Sequence, residues 1–122
     1  MKFHLSTFSG LVVTGSGPGW IRVGTTEYRA NLVLTPSVVH EGWAPAGFSG
    51  LTEADFAGLL ADQPEVLLFG SGRSIRFPHP RLTQALTQAG IGIEVMDTAA
   101  ACRTYNILAA EGRRVTAALL LE

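Results

Sequence analysis

The chain has one cysteine, Cys102, and that alone excludes an internal disulfide. A lone thiol fits a reducing compartment better than an oxidising one. Long apolar runs are missing too: no stretch approaches the roughly 20 residues that cross a bilayer. The first ten residues, Met1 to Gly10, contain one lysine followed by His4, Ser6 and Thr7. They lack the apolar centre of a signal peptide and the arginines of a transit peptide. Excess charge of either sign is absent, since the net charge is −1. No basic patch is evident, which argues against nucleic acid and against an anionic membrane surface as partners. One cysteine and three scattered histidines are too few for a zinc centre. No cofactor is expected, and the location expected is cytoplasmic.

What is present describes a folded domain. In 122 residues, 47% hydrophobic and 16% charged, there is material for one filled core and little room for a second. Residues 3 to 34 read as short strands punctuated by Gly10, Gly15 to Gly19 and Gly24. Trp20 and Arg22 alternate with Ile21 and Val23, as in a strand with two unlike faces. Gly15 to Gly19 resembles a phosphate loop only superficially, because no helix pattern follows it. A flexible hairpin loop is the expectation there. Tyr28 to Leu34 reads as one further strand, ended by Thr35-Pro36. Residues 36 to 50 read as a loop in which Trp43 is either a surface anchor for a partner or, the commoner case, a lid over a small core.

Thr52 with Asp55 three residues on is a variant of the capping box, and Leu51 with Phe56 is placed as a hydrophobic staple. A helix with an apolar stripe through Phe56, Leu59 and Leu60 comes next, stopped by Asp62-Gln63-Pro64. Val66 to Phe69 is apolar without alternation, typical of a strand buried on both faces. It runs into Gly70-Ser71-Gly72-Arg73. Ser74 to Phe77 reads as a short extended piece. Pro80 launches a second helix, with Leu82, Ala85, Leu86 and Ala89 on one side and Gly90 as its stop. Ile91, Ile93 and Val95 mark the next strand. Asp97 or Thr98 caps a third helix that reaches Glu111 and closes on Gly112. The last strand is Val115 to Leu121. Strand, helix, strand, helix, strand from Val66 onward implies right-handed crossovers and a largely parallel sheet.

Ligands of parallel sheets bind beyond the carboxyl ends of the strands. Two loops are expected there, Gly70 to Arg73 and Asp97-Thr98. If their strands are neighbours, both border one crevice, where free N–H groups and the helix dipole favour a small anion. Thr98, Cys102 and Asn106 are spaced one helical turn apart and share a face. Cys102 as a nucleophile would need a base in reach, and no histidine is linked to it by spacing. A small buried hydrophobe is the simpler reading. Arg103 stands on a helix otherwise nearly uncharged before Glu111. It must reach Asp97 or Glu94, the mouth of the crevice, or a partner.

The stretches Val66 to Gly72, Gly90 to Asn106 and Glu111 to Leu119 together resemble the domain of unknown function 498 family, of Mth938-like fold. The Tyr28 to Leu34 strand and the Trp43 loop resemble it more weakly. The family includes the third assembly factor of mitochondrial complex I and adipogenesis-associated domain proteins. The resemblance implies a single α/β domain over residues 1–122, with a mixed, mostly parallel central sheet, flanking helices and an extra N-terminal β-hairpin layer. It also implies a crevice at Gly70, Ser71, Gly72, Arg73, Thr98, Cys102, Arg103 and Asn106. The family has no agreed enzymatic activity. Two functions stand as expectations. One is a non-catalytic binding or assembly module with a protein partner, related to respiratory complex I assembly. The other is a small-molecule or anion binder, with catalysis left open.

Overall fold

The strand at the centre of the main sheet is the last one in sequence. In the computed structural model, which describes residues 9–122, the five-stranded sheet has the order β5-β4-β8-β6-β7. Its members are β4 (Leu32–Leu34), β5 (Val39–Glu41), β6 (Val66–Gly70), β7 (Gly92–Met96) and β8 (Val115–Leu119). β6 runs parallel to both β7 and β8, and β4 runs antiparallel to β8 and β5. The sheet is therefore mixed, with its parallel part where the strand–helix alternation placed it. β8 is buried along its whole length, and β6 at every position but Val66. That is why neither shows a polar alternation in the sequence.

The second sheet is a three-stranded meander of β1 (Val13–Gly17), β2 (Trp20–Val23) and β3 (Thr26–Tyr28). Together with the helices it forms the α/β architecture with an added hairpin layer. His4 and the start of the strand run at residue 3 lie outside the described residues.

Each face of the main sheet carries its own core. On one face Leu68, Ala117 and Leu119 meet α3 (Thr98–Ala110) and the inward residues Ile21 and Val23 of the meander. On the other, Leu67, Phe69 and Ala118 meet α1 (Glu53–Ala57), α2 (Gln84–Gln88) and the loop holding Trp43. Trp43 packs edge-on against Phe56 and Phe69 and donates its indole N–H to the Asp55 carbonyl at 2.9 Å. Of the two roles open to it, it takes that of a lid.

Several local expectations need correction. Tyr28 to Leu34 is two strands in different sheets. Asn31 turns the chain between them: its amide donates to the Ala44 carbonyl at 2.9 Å and accepts the Leu121 N–H at 2.7 Å. Gly15 to Gly17 belongs to a strand, and only Pro18-Gly19 is turn, with Gly19 at a φ of 79°. The glycines leave room for the Arg22 and Trp20 side chains, which lie across that strand. A Cβ at Gly15 would come within 2.6 Å of Arg22, and one at Gly17 within 2.5 Å of Trp20. The loop after Pro36 contains the short edge strand β5. Ser74 to Phe77 joins neither sheet, and its Ile75 and Phe77 are 55% and 73% exposed. Thr52 and Asp55 form a complete capping box, but α1 tightens after one turn into a 3₁₀ turn ending at Asp62. The second helix likewise starts as a 3₁₀ turn at Pro80, capped by His79 Nδ1.

Candidate functional site

β6 and β7 are neighbours, so their carboxyl ends lie side by side as the crevice reading requires. Beyond these ends the chain is tied into a knot of hydrogen bonds. Gly70 sits against Thr98 and Leu119, where a Cβ would come within 3.0 Å of the Thr98 backbone. Gly72 has a φ of 104°, a region that only glycine enters without strain. Its N–H donates to Thr98 Oγ1 at 2.9 Å, and its carbonyl accepts the Thr98 N–H at 2.9 Å. The Thr98 hydroxyl donates in turn to the Leu120 carbonyl at 2.7 Å. One threonine thus fastens the ends of three strands.

Ser71 is fully buried, and its hydroxyl is used internally. It donates to the Ser74 carbonyl at 2.7 Å and accepts the Arg76 N–H at 2.9 Å. Arg76 folds back over this turn. Its Nε and Nη2 donate to the Ser71 carbonyl at 3.0 and 2.7 Å, and Nη2 also meets Glu122 Oε1 at 2.7 Å. The guanidinium lies 4.4 Å from the centre of the Phe48 ring. Sequence reasoning misses Arg76. An arginine in a Gly/Ser-rich turn carries no local signal, because two of its partners, Glu122 and the Phe48 ring, are brought to it only by tertiary structure.

The start of α3 is less free than expected. Asp97 is the N-cap and accepts the Ala100 N–H at 2.8 Å. The Ala101 N–H goes to the Asp97 carbonyl, and the Thr98 N–H goes to Gly72. The Ala101 bond is the first regular bond of the helix, and of the end N–H groups that could hold an anion those of Thr98 and Ala100 are already paired.

An open cavity of about 320 Å³ does lie at this end of the sheet. Gly72, Arg73 and Thr98 line it, with Asp97, Ala99, the hairpin tip (16–20) and residues 120–122. Gly70 and Ser71 are buried beneath it. Cys102, Arg103 and Asn106 do not line it, so beyond Thr98 the helix turns those side chains elsewhere. The contribution of Trp20 and the hairpin tip could not be read from spacing. A hollow of about 410 Å³ at the opposite end of the sheet, around residues 35–38 and 112–116, contains none of the expected crevice residues.

Cys102 is 4% exposed in the core between α3 and the sheet. Burial pushes its thiol up to about 11, against a smaller opposing pull from Arg103. Asn106 is a clamp: its Oδ1 accepts the Val13 N–H at 2.9 Å and its Nδ2 donates to the Val13 carbonyl at 2.8 Å. Next to it Tyr105 donates to the Leu11 carbonyl at 2.7 Å, and burial raises its phenol well above the usual range. Arg103 is exposed and makes no ion pair among the described residues. One turn on, Ile107 is 61% exposed.

A family model described as "Protein of unknown function (DUF498/DUF598)" matches residues 13–120. The chain belongs to this family. A crystal structure from Bordetella parapertussis superposes with a TM-score of 0.83 at 39% identity, covering 95% of this chain and 99% of that one. A solution structure from Bordetella pertussis, described as a Mth938-like domain, gives 0.80 at 34% identity, over 98% and 92% of the two chains. The mouse protein named NADH dehydrogenase [ubiquinone] 1 alpha subcomplex assembly factor 3 is 38% identical over 107 residues. That match covers 86% of this chain and 57% of the mouse protein. The chain therefore spans a little over half the length of this relative. The resemblance and the α/β fold read from the sequence both hold. No helix among the described residues is long and apolar enough to cross a membrane.

Proposed function

We propose that this chain is a non-catalytic protein-binding module that acts in the assembly of a respiratory complex related to complex I. One observation carries the reading: Arg103 stands exposed and unpaired among the described residues, one turn from exposed Ile107, on a helix with no other charge before Glu111. A cation beside an apolar side chain suits a partner surface that offers a carboxylate next to an apolar patch. The likeness to an assembly factor supports this choice of partner class. The single unpaired cysteine supports a cytoplasmic location. The test is a pull-down from the native host with wild type, Arg103→Glu and Ile107→Asp. Wild type should recover complex I subunits and the variants should not. Equal recovery by all three, or recovery of no such subunit, would overturn the reading.

A second reading rests on the cavity beside Gly72, Arg73 and Thr98. Its occupant would be a small molecule held chiefly by Arg73 and the hairpin tip, since the N–H groups of Thr98 and Ala100 at the start of α3 are already paired. A screen of phosphorylated and carboxylate metabolites should then shift NMR signals of Gly72, Arg73 and Trp20. A screen that moves none of them removes this reading.

A further inference from the structure

The near-zero net charge conceals a separation. From Ala30 to Gly72 the chain has no lysine or arginine, but it has Glu41, Glu53, Asp55, Asp62 and Glu65. From Val66 to Ile93 it has no acid, but it has Arg73, Arg76 and Arg81. The structure turns this into two unlike surfaces.

The first is the loop after β6. Arg76 points inward, held by Ser71, Glu122 and the Phe48 ring. Its neighbours Ile75 and Phe77 remain exposed, Phe77 more than any other large apolar residue among the described ones. Pro78 and Pro80 stiffen the exit. Arg73 and Arg81 flank the pair, both exposed and without an ion pair among the described residues. Arg81 shares a shallow hollow with Glu53 but does not pair with it. Two apolar anchors are thus presented on a fixed turn between two cations, so little conformational entropy is left to lose on docking.

The second surface is a groove of about 410 Å³ between β5 and α1. Trp43, Pro45 and Leu59 give it an apolar floor, and Glu41, Asp55 and Asp62 line it with carboxylates. No lysine or arginine borders it. His40 meets Asp62 at 3.3 Å, and Asp55 accepts the Thr52 N–H, so Glu41 is the freest of the three. The groove offers what the loop lacks: an apolar floor for Phe77 and carboxylates for the flanking arginines.

We propose that the partner of each surface is a second copy of this chain, with the Ile75–Phe77 loop of one copy seated in the Trp43 groove of the other. Made reciprocally about a two-fold axis, the two contacts close the pair as a dimer, which is the arrangement proposed. The contact uses neither Arg103 nor Ile107, and it stands or falls independently of the assembly reading. Two anchors and two charges make a small interface, which places the association in the weak, salt-sensitive class.

Sedimentation velocity on the full chain tests this between about 10 µM and about 1 mM, the range where weak association shows. The weight-average sedimentation coefficient of wild type should rise with concentration, and the rise should shrink in high salt. Phe77→Asp and Glu41→Arg, both at exposed positions, should each weaken association by about tenfold or more. An equimolar mixture of the two variants should regain one of the two contacts, because the Glu41→Arg copy keeps a good loop and the Phe77→Asp copy keeps a good groove, and so should associate better than either variant alone and less than wild type. Thermal unfolding checks that both variants are folded, and Ile75→Lys or Arg81→Glu replaces a loop variant that is not. A monomer at every concentration overturns the proposal. So does association indifferent to the substitutions, or a mixture no better than its parts. Binding of the monomer's loop to anionic vesicles or to an unrelated protein, with no self-association, also overturns it.

Discussion

Replacing Thr98 by valine separates a structural threonine from a ligand-facing one. Valine keeps the shape and removes the hydroxyl. In the folded chain that hydroxyl accepts from Gly72 N–H at 2.9 Å and donates to the Leu120 carbonyl at 2.7 Å. Gly72 and Leu120 are both buried, so Thr98→Val leaves one donor and one acceptor without partners. Each orphaned buried group costs about 1–3 kcal/mol. Thr98 itself is only half-buried, so water can reach part of the gap, and the lower part of that range applies. The expected loss is about 2–3 kcal/mol, a large share of the roughly 5–15 kcal/mol that holds a domain together. For a domain of this size that lowers Tm by roughly 10 °C. Thr98→Ser keeps both hydrogen bonds and gives up a methyl group, a cost of about 1 kcal/mol or less. Urea and thermal unfolding of the two variants side by side give the answer. If Thr98→Val lies within about 0.5 kcal/mol of Thr98→Ser, the hydroxyl does not tie the strand ends together and the reasoning is wrong.

Three further outcomes are expected. Native Cys102 should react with a disulfide reagent at pH 8 roughly 100-fold more slowly than the unfolded chain, because a thiol raised to about 11 is almost wholly protonated there; equal rates would refute its burial. Asn106→Ala should cost about 1–2 kcal/mol for two lost bonds to Val13, and amide exchange should quicken in β1 to β3 while β6 and β8 stay protected; uniform exchange would remove the clamp. Glu65 is held below its ordinary pKa, first by the Arg114 N–H and then by the Arg113 and Arg114 charges. A depressed carboxylate stabilises the fold above its unfolded value of about 4.3 and stops doing so as pH falls through its folded value. Urea midpoints of Glu65→Gln should therefore fall less than those of wild type across that acid window, and parallel curves would contradict the assignment.

The elements with a strong local code were legible in the sequence. Thr52 and Asp55 announced their capping box, Asp97 and Gly112 bracketed α3, and the unbroken apolar runs of β6 and β8 marked strands covered on both sides. What escaped was set by partners distant in sequence. Asn31 divides an apolar run into strands of two sheets because its amide meets Ala44 and Leu121. Gly15 to Gly17 is strand because it pairs with Trp20 to Arg22 of β2. The place of the cavity was legible, since neighbouring parallel strands bring Gly72, Arg73 and Thr98 to one end. What was not legible was orientation. Helical spacing puts Thr98, Cys102 and Asn106 on one face, but spacing does not say whether that face meets a cavity, a core or another sheet. Here those three residues meet the strand ends, the core and β1, in that order.

The place of β8 bears on how the chain reaches its fold. β8 lies between β4 and β6 and joins the two halves of the main sheet, yet it comes after every other strand along the chain. During synthesis β4 with β5 and β6 with β7 can form only separate two-stranded pieces, which are marginal in water. The meander has three strands, but its inward residues Ile21 and Val23 stay uncovered until α3 has been made. The sheet therefore closes in one late step across long loops. Such topologies fold slowly and leave unpaired strand edges exposed meanwhile. Substitutions that weaken β8 should thus first reveal themselves as aggregation of the newly made chain, before any partner is met.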